Sequence, residues 1–228
     1  MHIQLINPSL SGEYFKQVTE RALKSLPLDP QIHVVFSSLS EGPATINSDA
    51  DEALAVGPLL KEIKRAEESG SDAVVIHCFG DVALRAARET VRIPVVCPGE
   101  TSILFGLTLG RRITIIPTSA SFAESINRMV KEIGVDAKRV KVRSLDVPVL
   151  SSDSEETLDK FLSVARRSIS EDEADVIILG CTGMSGLAKD LASRLGIPVI
   201  DPLFLAIKTA ELQVLLNLSH SRKAYLPK

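Results

Sequence analysis

The fold of this chain follows from a stretch that occurs twice, SDAVVIHC at residues 71–78 and ADVIILGC at residues 174–181. Each copy contains a run of aliphatic residues without polar alternation, which is typical of a strand buried on both faces. Each copy ends on a cysteine, Cys78 in the first and Cys181 in the second. The match indicates an internal duplication that places two thiols at equivalent positions.

Two further pairs of segments support the duplication. The residues IPVVCP at 93–98 align with IPVIDP at 197–202, and IQLINPS at 3–9 resembles ITIIPTS at 113–119. Any α/β chain repeats strand, helix and strand, but three matched strand ends in the same order favour two similar lobes. We expect these lobes to face each other across a cleft, with one cysteine on each wall.

Short β-branched runs alternate with longer amphipathic stretches along the chain, which predicts an α/β fold with mainly parallel sheets flanked by helices. Gly70, Gly134 and Gly196 predict helix ends, and Ser154 followed by two glutamates predicts a helix start. The predicted strands cover residues 3–6, 33–36, 73–77, 94–97, 113–116, 176–179 and 198–200. The predicted helices cover residues 58–69, 82–91, 122–133, 155–170, 187–195 and 203–216.

Two segments read as irregular. Residues 40–51 predict a loop that either flanks the cleft and limits substrate size or simply connects two elements. Residues 219–228 predict a polar surface tail that is partly loose.

Composition excludes several classes of protein. The 228 residues include 26 basic and 29 acidic side chains, a net charge of −3 without long runs of one sign, so we expect neither nucleic acid nor a membrane as partner. No apolar run reaches the ~20 residues of a membrane span, and the N-terminus lacks the features of a signal peptide. Three cysteines make no disulfide framework, so we expect a cytoplasmic protein.

The position of the two cysteines suggests chemistry. Ligands of parallel sheets bind beyond the carboxyl ends of the strands, and each cysteine closes a predicted strand before a glycine-containing turn. Amide groups at the start of a following helix would lower the pKa of each thiol and could hold a polarised carbonyl. A lone cysteine is usually a small buried hydrophobe, but a symmetric pair is better explained by catalysis.

Several cysteine chemistries fit poorly. The chain has no Cys-x-x-Cys redox motif, and its four histidines show no metal-ligand spacing with the cysteines, so we expect no metal. A papain-like nucleophile would need one cysteine with a histidine base. Two thiols on opposite walls suit proton removal from one face of a carbon and return to the other, which requires no cofactor.

The motifs resemble those of the aspartate/glutamate/hydantoin racemase superfamily, and most closely its hydantoin racemase branch. The similarity extends from about Ile3 to Leu216. It is carried by CFGD at 78–81 with AARE at 86–89, by GCTGM at 180–184, by Asn7-Pro8, and by IDP at 200–202. The two cysteine motifs together are specific, whereas either alone would be weak.

The resemblance implies two pseudo-symmetric α/β lobes with the active site in the cleft between them. It implies that the C-terminal helix returns to the first lobe, so the lobes would be residues 1–98 plus 205–228 and residues 99–204. It implies that Cys78 and Cys181 are the catalytic acid and base and that the partner is a small-molecule substrate. A homo-oligomer is left open.

The branch bears on the substrate. Phe79 and Met184 stand where amino-acid racemases of the superfamily carry polar residues, which makes the expected pocket more apolar. A neutral 5-substituted hydantoin fits such a pocket best, and allantoin or an amino acid such as aspartate or glutamate is the alternative. Decarboxylating relatives usually keep one of the two cysteines. Outside enzymes, the alternative is a two-lobed small-molecule binding protein.

The expected binding residues surround the two cysteines. Asn7 either hydrogen-bonds a ring amide or carbonyl or makes the turn before Pro8. Thr118 and Ser119 either donate to a substrate carbonyl or cap the next helix. Met184 is expected in the pocket wall. The expected oxyanion-type donors are the backbone amides of Phe79, Gly80, Thr182 and Gly183.

The remaining polar residues near the motifs read as structural. Cys97 aligns with Asp201 rather than with a catalytic cysteine, which predicts a buried structural thiol. His77 precedes Cys78 in a strand, so its ring should point away from the thiol. Asp81 is expected to orient the turn or to cap the helix after it. Whether Asp81, His77, Glu100 or Asp201 assists catalysis is open at this level.

Overall fold

The computed structural model describes residues 1–225 of the chain. In chain order the first half forms β1 (His2–Asn7), α1 (Gly12–Leu23), β2 (His33–Ser38), α2 (Asp49–Glu68), β3 (Ala73–Ile76), α3 (Leu84–Thr90), β4 (Val95–Val96) and α4 (Pro98–Leu109). The second half forms β5 (Ile113–Ile116), α5 (Ala120–Ile133), β6 (Val140–Val142), α6 (Glu155–Glu171), β7 (Val176–Leu179), α7 (Ala188–Leu195), β8 (Val199–Ile200) and α8 (Pro202–Leu215). Short 3₁₀ turns occur at Val149–Ser151 and Thr182–Met184.

The two halves build two parallel sheets of the same topology. Their strand orders are β2-β1-β3-β4 and β6-β5-β7-β8. Ile3 of β1 lies opposite Ala73 of β3, and Ile113 of β5 lies opposite Val176 of β7. The strands of one sheet therefore correspond one to one with those of the other, and the prediction of an α/β fold with two pseudo-symmetric lobes is confirmed.

The central strands are buried on both faces. In β3, Ala73 and Val75 point into a core shared with α8, whereas Val74 and Ile76 point into a core shared with α2. None of these four side chains is exposed to solvent. Because successive strand residues face opposite ways, burial on both faces explains why the sequence lacks polar alternation here.

The helices that follow β4 and β8 cross to the other lobe. Helix α4 packs on β5 and β7 of the second sheet, and α8 packs on β1, β3 and β4 of the first. The two crossing helices also pack against each other. A Cβ atom added at Gly106 of α4 would lie 3.0 Å from the Ile113 side chain, so the glycine permits a close approach of α4 to the second sheet. Leu203 and Ile207 of α8 are completely buried against the first sheet.

Asp81 caps a different helix from the one expected. Its carboxylate accepts hydrogen bonds from the backbone N–H groups of Gly99 at 2.9 Å and Glu100 at 2.6 Å, in the first turn of α4. Helix α3, which follows Asp81 in the chain, begins at Leu84, and no side chain caps its start at Ala83. The first N–H groups of α4 have no partner within the helix, so the Asp81 carboxylate can accept hydrogen bonds from them and stabilise the start of α4.

Asp201 makes the corresponding link in the second half. Its carboxylate accepts from the N–H groups of Leu203 and Phe204 at the start of α8, and from Gly186 in the loop after β7 at 2.7 Å. Each half therefore ties the loop after its cysteine strand to the start of its crossing helix. The carboxylate is supplied by the loop in the first half and by the helix cap in the second.

Helix α2 is longer than predicted. It begins at Asp49 rather than near residue 58, because the Ser48 hydroxyl accepts a hydrogen bond from the Asp51 N–H and acidic residues fill the first turn. The proline expected at the start of the helix lies inside it. The predicted loop over residues 40–51 therefore ends at Ser48.

The remaining helix ends agree with the sequence. Gly70, Gly134 and Gly196 have positive φ angles of 85°, 82° and 73°, and the Ser154 hydroxyl caps α6. Helices α1 and α4 and strand β6 lie outside the predicted segments. Within residues 1–225, no helix is both long and apolar enough to cross a bilayer.

The last described residues are docked rather than loose. The Ser219 hydroxyl donates to the Arg92 carbonyl, and the Val95 N–H donates to Nε2 of His220 at 2.8 Å. Arg88 donates to the Tyr225 hydroxyl at 3.4 Å, so the tail lies against the first lobe as far as Tyr225. The rest of the predicted tail lies outside the described residues. The lobe boundaries at residue 98 and residue 205 stay a prediction.

Replacing Asp201 by alanine should destabilise the protein by about 3 kcal/mol, because three backbone amides lose a buried carboxylate acceptor. The free energy of unfolding can be measured by urea denaturation. Asp190→Ala is the matched control, since Asp190 forms an exposed pair with Arg194 and its loss should cost less than about 0.5 kcal/mol. Equal effects of the two substitutions would contradict the role given to Asp201.

Candidate active site

A cavity lies between the two lobes, at the carboxyl ends of their parallel strands. This edge is where open parallel sheets bind ligands. The cavity is lined by Asn7, Pro8, Ser9, Phe15, Ile46, His77, Cys78, Phe79, Thr118, Phe122, Val149, Cys181 and Thr182.

The cavity receives one thiol from each lobe. Cys78 follows β3 and Cys181 follows β7, which are equivalent strands of the two sheets. The two residues are only 9% and 8% exposed, so both thiols are shielded from bulk solvent. The structure thus brings together the two cysteines that the duplication singled out.

The surroundings of Cys78 disfavour its charged form. Burial raises the pKa of this thiol, and the carboxylates of Glu52 and Asp81 raise it further. A hydrogen bond from the Gly80 backbone acts in the opposite direction. A Cβ added at Gly80 would lie 3.0 Å from a Glu52 carboxylate oxygen, which shows how closely α2 approaches this turn.

The surroundings of Cys181 contain more hydrogen-bond donors. Burial raises the pKa of this thiol too, but the Gly183 N–H, 3.3 Å from Sγ, and the Ser152 hydroxyl both lower it. The nearby Asp153 carboxylate raises it. The expectation that the turns would lower both pKa values is therefore wrong in net direction, because burial outweighs the amide donors.

His77 joins the two lobes through its ring. Nε2 lies 3.0 Å from the hydroxyl of Thr19, and Nδ1 lies 3.1 Å from the hydroxyl of Thr182 in the other lobe. Its ring also meets the ring of Phe15 edge-on, at 5.1 Å between centroids. Burial lowers the pKa of His77 to about 4, so the ring is neutral near pH 7. Both nitrogens are engaged, as expected of a core histidine.

Four of the expected binding residues line the cavity. They are Asn7, Phe79, Thr118 and Thr182. The Asn7 side-chain amide also holds the turn after β1, since Nδ2 donates to the Ser9 carbonyl at 3.0 Å. Both roles considered for Asn7 are therefore compatible with its position.

Four other expected residues do not line the cavity. Met184 is buried in the core of the second lobe, because the 3₁₀ turn after Cys181 directs it inward. Ser119 caps α5 by accepting from the Phe122 N–H. The amides of Gly80 and Gly183 hydrogen-bond to the two sulfurs and are not free oxyanion donors.

The other polar residues near the motifs have structural partners. Cys97 is completely buried at the start of α4 and lies outside the cavity wall. Glu100 forms an ion pair with the largely buried Arg88, at 2.5 Å. Neither Asp81 nor Asp201 lines the cavity, and both cap crossing helices. Burial raises the pKa of Asp81 to about 7.

Much of the apolar wall was not among the expected residues. Phe15 and Phe122 enter the cavity from the first turns of α1 and α5, and Ile46 and Val149 enter from the loops before α2 and α6. These pairs occupy equivalent places in the two halves. Ile46 lies in the loop predicted over residues 40–51, and Val149 lies in the equivalent loop of the second half. Aligning these two loops as part of the internal repeat could have located Val149 from the sequence.

The arrangement supports proton transfer by the two thiols alone. Among the residues that line the cavity, no other side chain is ionised near pH 7. Two weak acids of the same type face one shielded space, so either can accept a proton while the other donates one. Within residues 1–225, no group of three or more His, Cys, Asp or Glu side chains is arranged to hold a metal ion.

Comparison with known proteins shows which family the chain belongs to. The family model described as Asp/Glu/Hydantoin racemase matches residues 3–210. A hydantoin racemase of Rhizobium meliloti is 38% identical over 216 residues, which cover 92% of this chain and 88% of the relative. A hydantoin racemase of Pseudomonas sp. (strain NS671) is 34% identical over 213 residues, which cover 92% and 85%.

A solved structure shows the same fold over the whole chain. The allantoin racemase from Klebsiella pneumoniae superposes with a TM-score of 0.92 and 29% sequence identity, covering 100% of this chain and 94% of the other. Sequence and structure therefore agree that this chain belongs to the Asp/Glu/hydantoin racemase family.

Proposed function

We propose that this racemase acts on 5-substituted hydantoins without a cofactor, and that Cys78 and Cys181 are its two acid–base catalysts. The observation that carries the proposal is a shielded cavity that receives one thiol from each lobe. Hydantoin racemases at 38% and 34% identity support the substrate class.

In the proposed reaction, the thiolate of one cysteine removes the proton from C5 of the ring and becomes a thiol. The electron pair left on C5 is delocalised onto the adjacent ring carbonyl, giving a planar enolate. The thiol of the other cysteine then donates its proton to the opposite face of C5 and becomes a thiolate. One proton is removed and one is returned, so the product is the other enantiomer and the two thiols have exchanged roles.

Polar groups at the wall are suited to the developing charge on the ring oxygen. Thr118 and Thr182 line the cavity. Because the amides of Gly80 and Gly183 hydrogen-bond to the cysteine sulfurs, the proposed backbone donors are the amides of Phe79 and Thr182. Donors fixed before the reaction stabilise an enolate without reorganisation. Asn7 is the proposed partner for a ring amide or carbonyl.

The apolar wall favours a neutral ring. Phe15, Phe79, Phe122, Ile46 and Val149 line the cavity, and none of its lining residues is Lys or Arg. A dianionic substrate such as aspartate would be buried without a cationic partner, which is unfavourable. Phe79, in the cavity wall, therefore supports the proposal of a neutral ring, whereas Met184, outside the wall, does not support it.

Allantoin is the second candidate substrate. It is itself a hydantoin, with a ureido group at C5, and the structural similarity to an allantoin racemase extends over the whole chain. Asn7, Ser9, Thr118 and Thr182 give the cavity polar groups that a ureido group could use.

A panel of single enantiomers tests the substrate class. We expect loss of optical rotation with L-hydantoins bearing apolar 5-substituents, and no change with L-aspartate or L-glutamate, because the wall lacks cationic groups. Allantoin serves as the direct competitor in the same assay. Racemisation of aspartate at a rate similar to that of a hydantoin would contradict the proposal.

Single replacement of Cys78 or Cys181 by serine should lower the rate of racemisation by roughly 10³-fold or more, because a hydroxyl is too weak a base near neutral pH. Each variant should still exchange the C5 proton of one enantiomer with deuterated solvent, and the two variants should prefer opposite enantiomers. The measurement is proton NMR in D₂O beside polarimetry.

Cys97→Ser is the matched control for these variants, since Cys97 is buried outside the cavity. It should leave turnover largely intact. An inactive Cys97→Ser together with an active Cys181→Ser would show that the wrong pair has been identified.

The pH profile should rise toward alkaline pH. Burial raises the pKa of Cys78 and Cys181 above the usual thiol value, so only a small fraction is thiolate at pH 7 and this fraction grows as pH rises. We expect kcat/KM to increase about tenfold per pH unit between about pH 7.5 and 9, above the pKa of about 7 for Asp81. The rate with Cys181→Ser at each pH is subtracted as background, and a flat profile would contradict the direction of these shifts.

A further inference from the structure

The two thiols have different side chains near them outside the cavity wall. On the Cys78 side the Glu52 carboxylate of α2, which approaches the turn at Gly80, disfavours a second negative charge. On the Cys181 side the Ser152 hydroxyl lies near the thiol, next to Gly183, and lowers the pKa of Cys181. The backbone around the cysteines is duplicated, but these neighbouring side chains are not.

Ser152 is held in place from the opposite lobe. It lies in the loop before α6 of the second lobe and is only 1% exposed. Its hydroxyl is 3.2 Å from the hydroxyl of Tyr14, which belongs to α1 of the first lobe. Tyr14 in turn donates to an Asp153 carboxylate oxygen at 2.8 Å, and Asp153 forms an ion pair with Arg21 of α1.

The packing around Gly183 places the Ser152 hydroxyl near the thiol. A Cβ atom added at Gly183 would lie 2.2 Å from the Ser152 hydroxyl oxygen and 3.4 Å from the Cys181 sulfur. Any side chain at position 183 would therefore displace Ser152. The glycine leaves room for the hydroxyl to stand beside the sulfur.

The hydrogen-bond directions in this chain depend on the charge of Cys181. The proton of Tyr14 is committed to Asp153, so the Tyr14 oxygen can accept, and Ser152 has one proton to give. When Cys181 is a thiol, it can donate to Ser152 while Ser152 donates to Tyr14. When Cys181 is a thiolate, the charge is the stronger acceptor and Ser152 turns its proton to the sulfur.

We propose that Ser152, positioned by Tyr14 from the opposite lobe, makes Cys181 the first of the two thiols to lose its proton as pH rises, and reorients its hydroxyl each time Cys181 changes charge. Ser152 is thus a positioning residue that acts through Cys181. Cys78, near the Glu52 carboxylate, loses its proton only at higher pH. The inference rests on the proposed function in one respect, that the two thiols alternate between charged and neutral forms.

The other charged groups near Cys181 do not supply this stabilisation. Asp153 opposes the thiolate, although Arg21 partly neutralises it. His77, which follows β3, is neutral near pH 7, and Cys78 would oppose a second charge in the same cavity. With the Gly183 amide, Ser152 is therefore the group that favours charge on Cys181.

The test measures each thiol separately and without substrate. The protein is treated with iodoacetamide over a range of pH, and the alkylation rates of Cys78 and Cys181 are followed by mass spectrometry of their peptides. The rate at a given pH below the thiol pKa is proportional to the thiolate fraction. Ser152→Ala is compared with Ser151→Ala, an exposed neighbour in the same loop, and with Tyr14→Phe.

In Ser152→Ala we expect the pH profile of Cys181 to move up by about one unit, a roughly tenfold slower alkylation at fixed pH, with Cys78 unchanged within threefold. Tyr14→Phe should slow Cys181 in the same direction but less, because Asp153 then lacks the phenol donor. Ser151→Ala should match the wild type.

An unchanged Cys181 profile in Ser152→Ala, or equal slowing of both cysteines, would overturn the inference. Because no substrate is present, failure of racemisation on every compound of the hydantoin panel would instead overturn the proposed function. The two failures are therefore distinguishable.

Discussion

The exchange of one helix between the lobes is the constraint on which the rest of the structure depends. Helix α4 covers the second sheet and α8 covers the first, so neither sheet is complete without the other half of the chain. Asp81 and Asp201 fix the start of these helices to the loops that carry the cysteines. Packing of the lobes and placement of the thiols are thus parts of one arrangement.

The backbone around the cavity follows the pseudo-symmetry of the two lobes, but the side chains that line the cavity do not. Phe15 and Phe122 form equivalent walls, but His77 stands where the second half has Gly180. A Cβ at Gly180 would lie 2.5 Å from the backbone nitrogen of Pro117, so no side chain could occupy that place. The histidine ring therefore bridges the lobes on one side only.

The sequence predicted what depends on local pattern and on the repeat. Buried strands, glycine-ended helices and the cysteine pair leave traces in neighbouring residues or in a second copy. The partners of the cysteines do not, because Glu52 and Ser152 reach them only through the tertiary fold. Met184 was misplaced for a similar reason, since the direction of its side chain is set by a 3₁₀ turn that the motif does not reveal. The start of α2 was missed although Ser48 is a recognisable cap.

The duplication also has a consequence for how such a site can arise. A half-chain on its own would expose the sheet face that its partner's crossing helix covers, and two identical copies could bury those faces by trading helices. The cleft of such a symmetric dimer would hold two thiols in identical surroundings. Joining the copies in one chain is what allows Ser152 to stand beside one sulfur and Glu52 beside the other. Because the two halves are joined in one chain, the surroundings of each thiol can change by substitution independently of the other.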